Sequence, residues 1–364
     1  MLTDDDEGDS NGMTEALTLD SEIEPSPEIA ATTGETFSQQ VLPGTQPAPP
    51  IITVIICTFN RYNILADATA SIELQDYPAD RYELLIIDNS DDIDAGKRFF
   101  DGFEITCKHR IIREAKPGLS RARNVGVNAA AGDLVAFVDD DARASPGWLS
   151  GIVRTFAENE RAGIVGGPVR PIWCEKRPEW LHTWLEGYLT ILDRGGETRA
   201  LGEDEWLVGT NIAFRKEAIK AVGMFPENIG RIKHLLLSNE EIIVSKAVRE
   251  LGYDVVYNPE IVTYHRVHPE RANRDWLRRR VFWQVISDLF STGCGDQFDA
   301  QRDIEQILEF LAKLAPKQRG IVGLFLDIDD AELFHAQTMA LRSLVRLLAN
   351  DARDWSHYLK ADAE

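Results

Sequence analysis

Buried-strand patterns and helical patterns alternate along the first half of the chain. "IITVIICTF" (residues 51–59) is an apolar run rich in β-branched residues, suited to a strand buried on both faces. "ILADATASIELQDY" follows, with Ile64, Ala68, Ile72 and Leu74 predicted near one side of a helix, and "YELLIID" gives a second buried strand ending at Asp88. "CKHRIIRE" predicts a short third strand. "GLSRARNVGVNAAAG" predicts a helix opened near Gly118 and closed by Gly132, a residue able to take positive φ at a helix end. "DLVAFVDDD" is the next strand. Strands and helices alternating through short links predict an α/β fold with a parallel sheet covered on both faces. In such sheets ligands gather beyond the carboxyl ends of the strands, where Thr58, Asn60, Asp88 and Asp139 to Asp141 all fall.

Further on, the pattern predicts a helix in "WLSGIVRTFAE", a strand in "AGIVGGPV" and a stretch containing Trp173, Trp180, Trp184 and Trp206. A strand in "NIAFR", a helix beginning near Glu240 and a strand through "DVVYNPEIVTYHRVH" come next. From about residue 271 the chain reads as helices, with "RDWLRRRVFWQVISDLF" and "ELFHAQTMALRSLVRLLANDARDWSHYL" both amphipathic. The expected organisation is a tail over 1–49, an α/β domain over 50–270 and a helical extension over 271–364.

Composition accounts for the tail. Residues 1–50 hold eleven acids and no Lys or Arg, so they carry about half of the net charge of -21. Polar, acidic and rich in Pro, Ser and Thr, this segment is expected to be disordered. With 39 Lys+Arg against 60 Asp+Glu, the chain lacks the cationic surface that nucleic-acid phosphates require, and no nucleic-acid partner is expected. No stretch approaches the roughly 20 apolar residues of a membrane helix, and the acidic start lacks the pattern of a secretory signal. The expected location is cytoplasmic, with the C-terminal helices available for peripheral membrane contact or for oligomer formation. Cys57, Cys107, Cys174 and Cys294 lack Cys-x-x-Cys spacing, so neither a disulfide framework nor a zinc site is expected.

Chemistry concentrates in "LVAFVDDDAR" (residues 134–143), where an apolar strand runs into Asp139, Asp140 and Asp141. Three adjacent carboxylates in a cleft repel one another, and one is driven to protonate unless a cation sits among them. If the extended geometry persists, Asp139 and Asp141 share one side and Asp140 takes the other. All-oxygen ligation suits Mn²⁺ or Mg²⁺, and Mg²⁺ commonly pairs one or two carboxylates with substrate phosphates. The implied substrate carries a diphosphate. Acids before "ASPGW" also suit a plain solvated turn.

The blocks "ITVIICTFNRYNIL", "YELLIIDNSDD", "PGLSRARNVGVNAAAGDLVAFVDDDA", "GTNIAFRKEA" and "SNEEIIVSKAVRELGYDVVYNPEIVTYH" resemble, in that order, the successive motifs of the family 2 glycosyltransferases. The resemblance covers about residues 50 to 285. It implies a GT-A, Rossmann-like fold: a mostly parallel twisted sheet with helices on both faces. The implied activity is transfer of one sugar from a nucleotide-diphosphate sugar, a UDP-sugar favoured, to a sugar, lipid-linked or small-molecule acceptor, usually with inversion. Thr58, Asn60, Arg61, Asp88, Arg123 and Asn124 match positions that line the nucleotide, and Asp139 to Asp141 match the acidic motif at the ribose and the metal. Asp139, Asp141 and His265 are the implied metal ligands. Glu241, preceded by Glu240, stands where the family places its general base, although Glu-Asp or Asp-Asp is usual there; as a plain helix start, Ser238 or Asn239 would be its cap. Trp206, Gly209, Thr210 and Asn211 match the acceptor side. His268 is a weaker ligand candidate, and of Arg271, Arg274 and Arg278 to Arg280 some could reach a diphosphate while most are expected to be solvated or ion-paired. The Gln-x-x-Arg-Trp motif and membrane helices of processive synthases do not occur, so a single transfer is expected in surface polysaccharide, glycolipid or natural-product synthesis.

Two alternatives stand beside this reading. The fold could survive as an inactive nucleotide-sugar-binding scaffold. A sugar nucleotidyltransferase would also use an α/β sheet and a metal, but "CTFNRY" lacks the glycine-rich turn that holds a triphosphate.

Overall fold

The computed structural model describes residues 52–232, 235–292 and 299–351, all within one compact unit that spans Ala48–Glu364. The acidic tail, Cys294 and the end of the last amphipathic segment lie outside the described residues. Among the described residues the elements run β1 (Ile52–Thr58), α1 (Tyr62–Glu73), β2 (Tyr82–Asp88), α2 (Ile93–Phe100), β3 (His109–Arg113), α3 (Leu119–Ala129), β4 (Leu134–Phe137) and β5 (Ala142–Ala144). They continue with α4 (Trp148–Glu158), β6 (Ala162–Gly166), β7 (Val169–Trp173), a 3-10 helix (Thr183–Leu189), β8 (Arg199–Ala200), β9 (Ile212–Arg215) and α5 (Lys216–Ala221). The remainder is α6 (Glu240–Glu250), β10 (Asp254–Tyr257), β11 (Thr263–Val267), α7 (Arg274–Thr292), α8 (Ala300–Lys313) and α9 (Ala331–Asp351).

Eight strands form the main sheet in the order β3-β2-β1-β4-β9-β6-β10-β8. All run one way except β9 and β8, each antiparallel to its neighbours. The mostly parallel α/β architecture is therefore as expected. Period-two patterning explains its two faces: Val54, Ile56, Leu84 and Ile86 enter one core, while Ile55, Leu85 and Ile87 enter the other.

A smaller sheet, β5-β11-β7, lies beyond the strand ends, and three chain segments cross into it from the main sheet. This splits two strands that the sequence pattern reads as continuous and cuts a third short before its aspartates. β4 stops at Phe137 and the chain turns through the aspartates into β5; β6 passes to β7 at Gly167-Pro168; β10 passes to β11 through Asn258-Pro259. Proline's missing N–H favours the break in the last two cases. The crossing at Gly167 is also tight, since a Cβ there would lie 2.2 Å from the Ile261 carbonyl oxygen.

Two local expectations are corrected. Leu74 lies past α1 and is exposed, because positions 72 and 74 sit on opposite sides of a helix, and Leu65, Ala68, Thr69 and Ile72 form the buried face. Positive φ occurs at Gly118, where α3 opens, and not at Gly132, whose N–H donates to Thr53 Oγ1.

The C-terminal helices α7 to α9 pack with the 3-10 helix around Leu185, Leu189, Leu277, Phe310 and Phe334. No helix among the described residues is long and apolar enough to cross a membrane.

Candidate active site

The carboxyl ends of the central strands and the C-terminal helices enclose a cavity of about 970 Å³. Its walls carry six arginines (61, 123, 231, 271, 280 and 342) and six carboxylates (139, 140, 141, 240, 241 and 288). The excess acidity of the chain thus stays off this site.

The aspartate triplet sits on the turn between β4 and β5, closed by the Ala142 N–H donating to the Asp139 carbonyl. Because the strand has ended, side chains do not alternate: Asp140 and Asp141 are both buried, and Asp139 is the more open of the three. Thr58 Oγ1 donates to Asp140 at 2.8 Å, and Arg61 spans Asp140 (2.9 Å) and Asp141 (2.6 Å). Asp141 also lies 3.4 Å from both His265 Nε2 and Arg271. Asp139 faces Arg123 at 3.7 Å. Guanidinium groups therefore relieve the repulsion that the sequence argument assigned to a metal. Burial pushes the Asp140 carboxyl up to about 7, against Arg61 and with help from Asp141. Burial works to raise Asp141 as well, but His265, Arg271 and Arg61 hold it well below the usual carboxylate range.

Could this set hold a divalent cation? Asp141 Oδ1 and His265 Nε2 stand 3.4 Å apart, near the roughly 3 Å between neighbouring ligands with bonds of about 2.1 Å. That spacing suits one ion, which would displace Arg271 from its place 3.2 Å from the same His265 nitrogen and beside Asp141. Asp139 does not join them in a three-ligand group; among the described residues the one such group is His182, Glu332 and His335, on the cavity rim. There His182 Nδ1 accepts from the Trp184 N–H, which leaves the proton on Nε2 for Glu332, and the two imidazoles stack within 9° of parallel. A ring arranged so offers no free lone pair.

Glu240 and Glu241 open α6 behind Asn239, which holds a left-handed conformation (φ 84°). Neither Ser238 nor Asn239 caps the helix with its side chain. Asn239 Nδ2 donates instead to Asp288 and Ser291 on α7, and Gln284 donates to Asn239 Oδ1 at 2.8 Å. The C-terminal helix α7 thereby fixes the start of α6. Arg123, buried over the rings of Phe137 and Phe225, donates to Glu240 at 2.7 Å and faces Asp139, joining the two acidic groups. One oxygen of Glu240 and one of Glu241 are buried without a partner. Burial and the charge of Glu240 push Glu241 up to about 7, against Arg123.

The remaining expected residues divide. Trp206, Gly209 and Thr210 line the cavity, because β9 is reversed and the segment before it lies on the ligand edge. Gly209 is needed for space: a Cβ would come within 2.3 Å of the Arg123 guanidinium. Asn211 is fully buried away from the cavity, accepting from Trp148 Nε1 and donating to the Pro168 and Ile261 carbonyls, so it holds the strand crossings together. Asn124 clasps both the N–H and the carbonyl of Phe225. Asp88 is buried between Tyr62, the Ser90 N–H and Arg113, and Asn60 is exposed with its side chain on Asp91. None of Asn60, Asp88, Asn124 and Asn211 lines the cavity. Neither does His268, half-buried with Cys174 3.9 Å from its Nδ1, and Arg121 pairs with Glu227. Of the arginines between 271 and 280, Arg271 and Arg280 reach the cavity, whereas Arg274 and Arg278 pair with Asp329, Asp275 and Asp327. Cys57 also lines the cavity, its thiol pushed up to about 12 by burial.

Several lining residues escaped the sequence reading. On α7 Trp276, Gln284 and Asp288 share one cavity-facing stripe with Arg280, which the sequence had already offered, and α9 adds His335, Met339 and Arg342. The four-residue spacing on α7 is legible in the sequence as one helix face, but its orientation toward the site is not.

Comparison with known proteins places these residues in context. Residues 53–223 match the family model described as glycosyl transferase family 2. A glucosyl-dolichyl phosphate glucuronosyltransferase of Haloferax volcanii is 29% identical over 243 residues, covering 65% of this chain and 75% of that one. The succinoglycan biosynthesis protein ExoM of Rhizobium meliloti is 26% identical over 242 residues, covering 64% and 72%. Among solved structures, a mannosyltransferase from Pyrobaculum calidifontis in complex with GDP-Man and Mn²⁺ aligns with a TM-score of 0.49 at 20% identity, covering 86% of this chain and 79% of that one.

Proposed function

From the premise that the chain belongs to family 2 of the glycosyltransferases, we propose that it moves one sugar from a nucleotide-diphosphate sugar, a UDP-sugar favoured, to an acceptor hydroxyl with inversion. The observation that carries this reading is the bridge made by Arg123 between Glu240 and Asp139, which sets the start of α6 against the acidic turn across one cavity. Donor and acceptor chemistry then have separate walls. Thr58, Arg61 and Asp139 to Asp141 form the donor side, and Trp206, Gly209 and Thr210 line the acceptor side.

On the acceptor side, Glu241 would take the proton of the attacking hydroxyl. Its buried oxygen has no partner in the protein, and a substrate hydroxyl would satisfy it. Glu240 keeps Arg123 in place and raises the basicity of its neighbour. On the donor side, Asp141 and His265 would hold Mn²⁺ or Mg²⁺, with Asp139 facing the cavity beside them. Such an ion, when bound, supplies charge stabilisation for the departing diphosphate. Arg271 contributes positive charge to the same side. The relatives' names point to glycolipid or polysaccharide assembly as the setting.

Calorimetric titration with UDP, GDP and dTDP, with and without Mn²⁺, on the wild type and on Asp141→Ala, tests the proposal. Metal-dependent binding of one nucleotide, weakened at least tenfold in the variant, is expected. Binding of none of the three would count against both sugar transfer and a nucleotide-sugar-binding scaffold, and binding indifferent to both metal and substitution would support the inactive scaffold instead.

A further inference from the structure

Arg280 is the cavity group that the donor and base chemistry leaves unexplained. It is 8% exposed, and its Nη2 donates to Gln284 Oε1 at 2.8 Å and to Ser238 Oγ at 3.1 Å. Its Nη1 is buried without a partner, and among the described residues no carboxylate lies within ion-pairing distance of it. A guanidinium held in this way is costly unless an anion completes it. Burial, and then Arg231, bring its pKa down to about 10, which reports the same missing counter-charge. Arg231 also lines the cavity and likewise has no carboxylate partner among the described residues.

Which wall the two arginines serve follows from their neighbours. Arg271 feels Asp141, Arg231, Arg61 and Asp139, the donor side, so Arg231 stands between the two groups, whereas Arg280 donates to Ser238, two residues before Glu240. Arg280 feels Tyr188, Glu241 and Glu240, the side of the proposed base. An anion completing Arg280 therefore lies next to the attacking hydroxyl and apart from the departing diphosphate. The adjoining wall is apolar: Trp184, Leu185, Tyr188, Leu237, Trp276 and Met339 line the cavity, and Trp184 is 77% exposed.

We propose that Arg280, with Arg231 beside it, binds a phosphate carried by the acceptor, esterified to an apolar alcohol whose chain runs along the wall of Trp184 and Trp276. This rests on the glycosyltransferase reading of the same cavity and names its acceptor class. Arginine suits the role because its planar fork presents paired donors to phosphate oxygens.

The test is calorimetric titration of the full chain with decyl phosphate, decyl glucoside and inorganic phosphate, each below its micellar concentration where it has one, and with UDP. Decyl phosphate should bind at least tenfold more tightly than decyl glucoside or inorganic phosphate, and should still bind when UDP is saturating. Arg280→Gln should weaken decyl phosphate at least tenfold, with UDP affinity changed less than threefold. Arg280→Lys should fall between that variant and the wild type. If Arg280→Gln does not fold, Arg231→Gln, at a half-buried position, should weaken decyl phosphate at least threefold. The proposal is overturned if decyl phosphate binds no better than its neutral counterpart or inorganic phosphate, if UDP displaces it, or if the substitutions weaken UDP as much as decyl phosphate. The decyl phosphate arm needs no donor, so absence of UDP binding would sink the sugar-transfer reading separately.

Discussion

The two acidic groups that face each other across the cavity are built in opposite ways. At the β4–β5 turn Asp140 and Asp141 share Arg61, and Asp141 also meets Arg271 and His265. At the start of α6 a single buried guanidinium, that of Arg123, pairs with Glu240, and both Glu240 and Glu241 keep one buried oxygen without a partner. In the first group Asp141 is held ionised before any substrate arrives, while burial pushes Asp140 up to about 7. The second carries unsatisfied hydrogen-bonding capacity, which a buried site keeps at a cost and which suits a group awaiting a proton.

Removing the under-satisfied carboxylate gives the largest expected effect. Glu241→Gln should lower kcat for sugar transfer by roughly 100- to 10,000-fold, the usual range for a lost general base, and leave donor KM within about threefold. A matching loss in donor affinity would place Glu241 on the wrong side of the comparison. Burial and Glu240 push the Glu241 carboxyl up to about 7, and the proposed base must be ionised to act. Below about pH 7, kcat should therefore fall as the carboxylate takes up its proton, about tenfold per pH unit.

Glu240→Gln sharpens the contrast differently. It leaves Arg123 buried with Asp139 alone, and breaking such a pair from one side should cost about 3–5 kcal/mol in denaturant unfolding. Because Glu240 raises its neighbour, the substitution should also move the kcat inflection to lower pH. An inflection that stays in place would show that burial alone sets the basicity of Glu241.

The smallest effect is steric. In Gly209→Ala the new methyl meets the Arg123 guanidinium, and displacing it should cost about 1–3 kcal/mol of stability. Activity should fall with it, since Arg123 joins the two acidic groups; unchanged kinetics would mean that the bridge is dispensable.

The reach of the sequence can be judged from particular residues. β1, β2 and the helix between them were legible because burial on both faces and helical periodicity leave a strong local pattern. Thr58, Arg61, Arg123, the aspartate triplet and Glu240–Glu241 were singled out from the sequence, and all of them line one cavity. Asn124 and Asn211 were not separable from them by sequence. Both are polar residues in the right blocks, and only the packing turns one onto the Phe225 backbone and the other onto Pro168 and Ile261.

By itself, then, the sequence determined the main alternation of strands and helices in the first half, without α2 and β5, together with the cavity-bearing edge and the residue types gathered there. These follow from local hydrophobic periodicity and from the chain direction in a parallel sheet. Tertiary structure decided how the charges pair. Arg61 is about eighty positions from the aspartates that it neutralises, and Arg123 is more than a hundred from Glu240. Arg280 reaches the cavity because α7 packs back over α6. Partnership between charges depends on distance in space, and no local pattern along the chain records it.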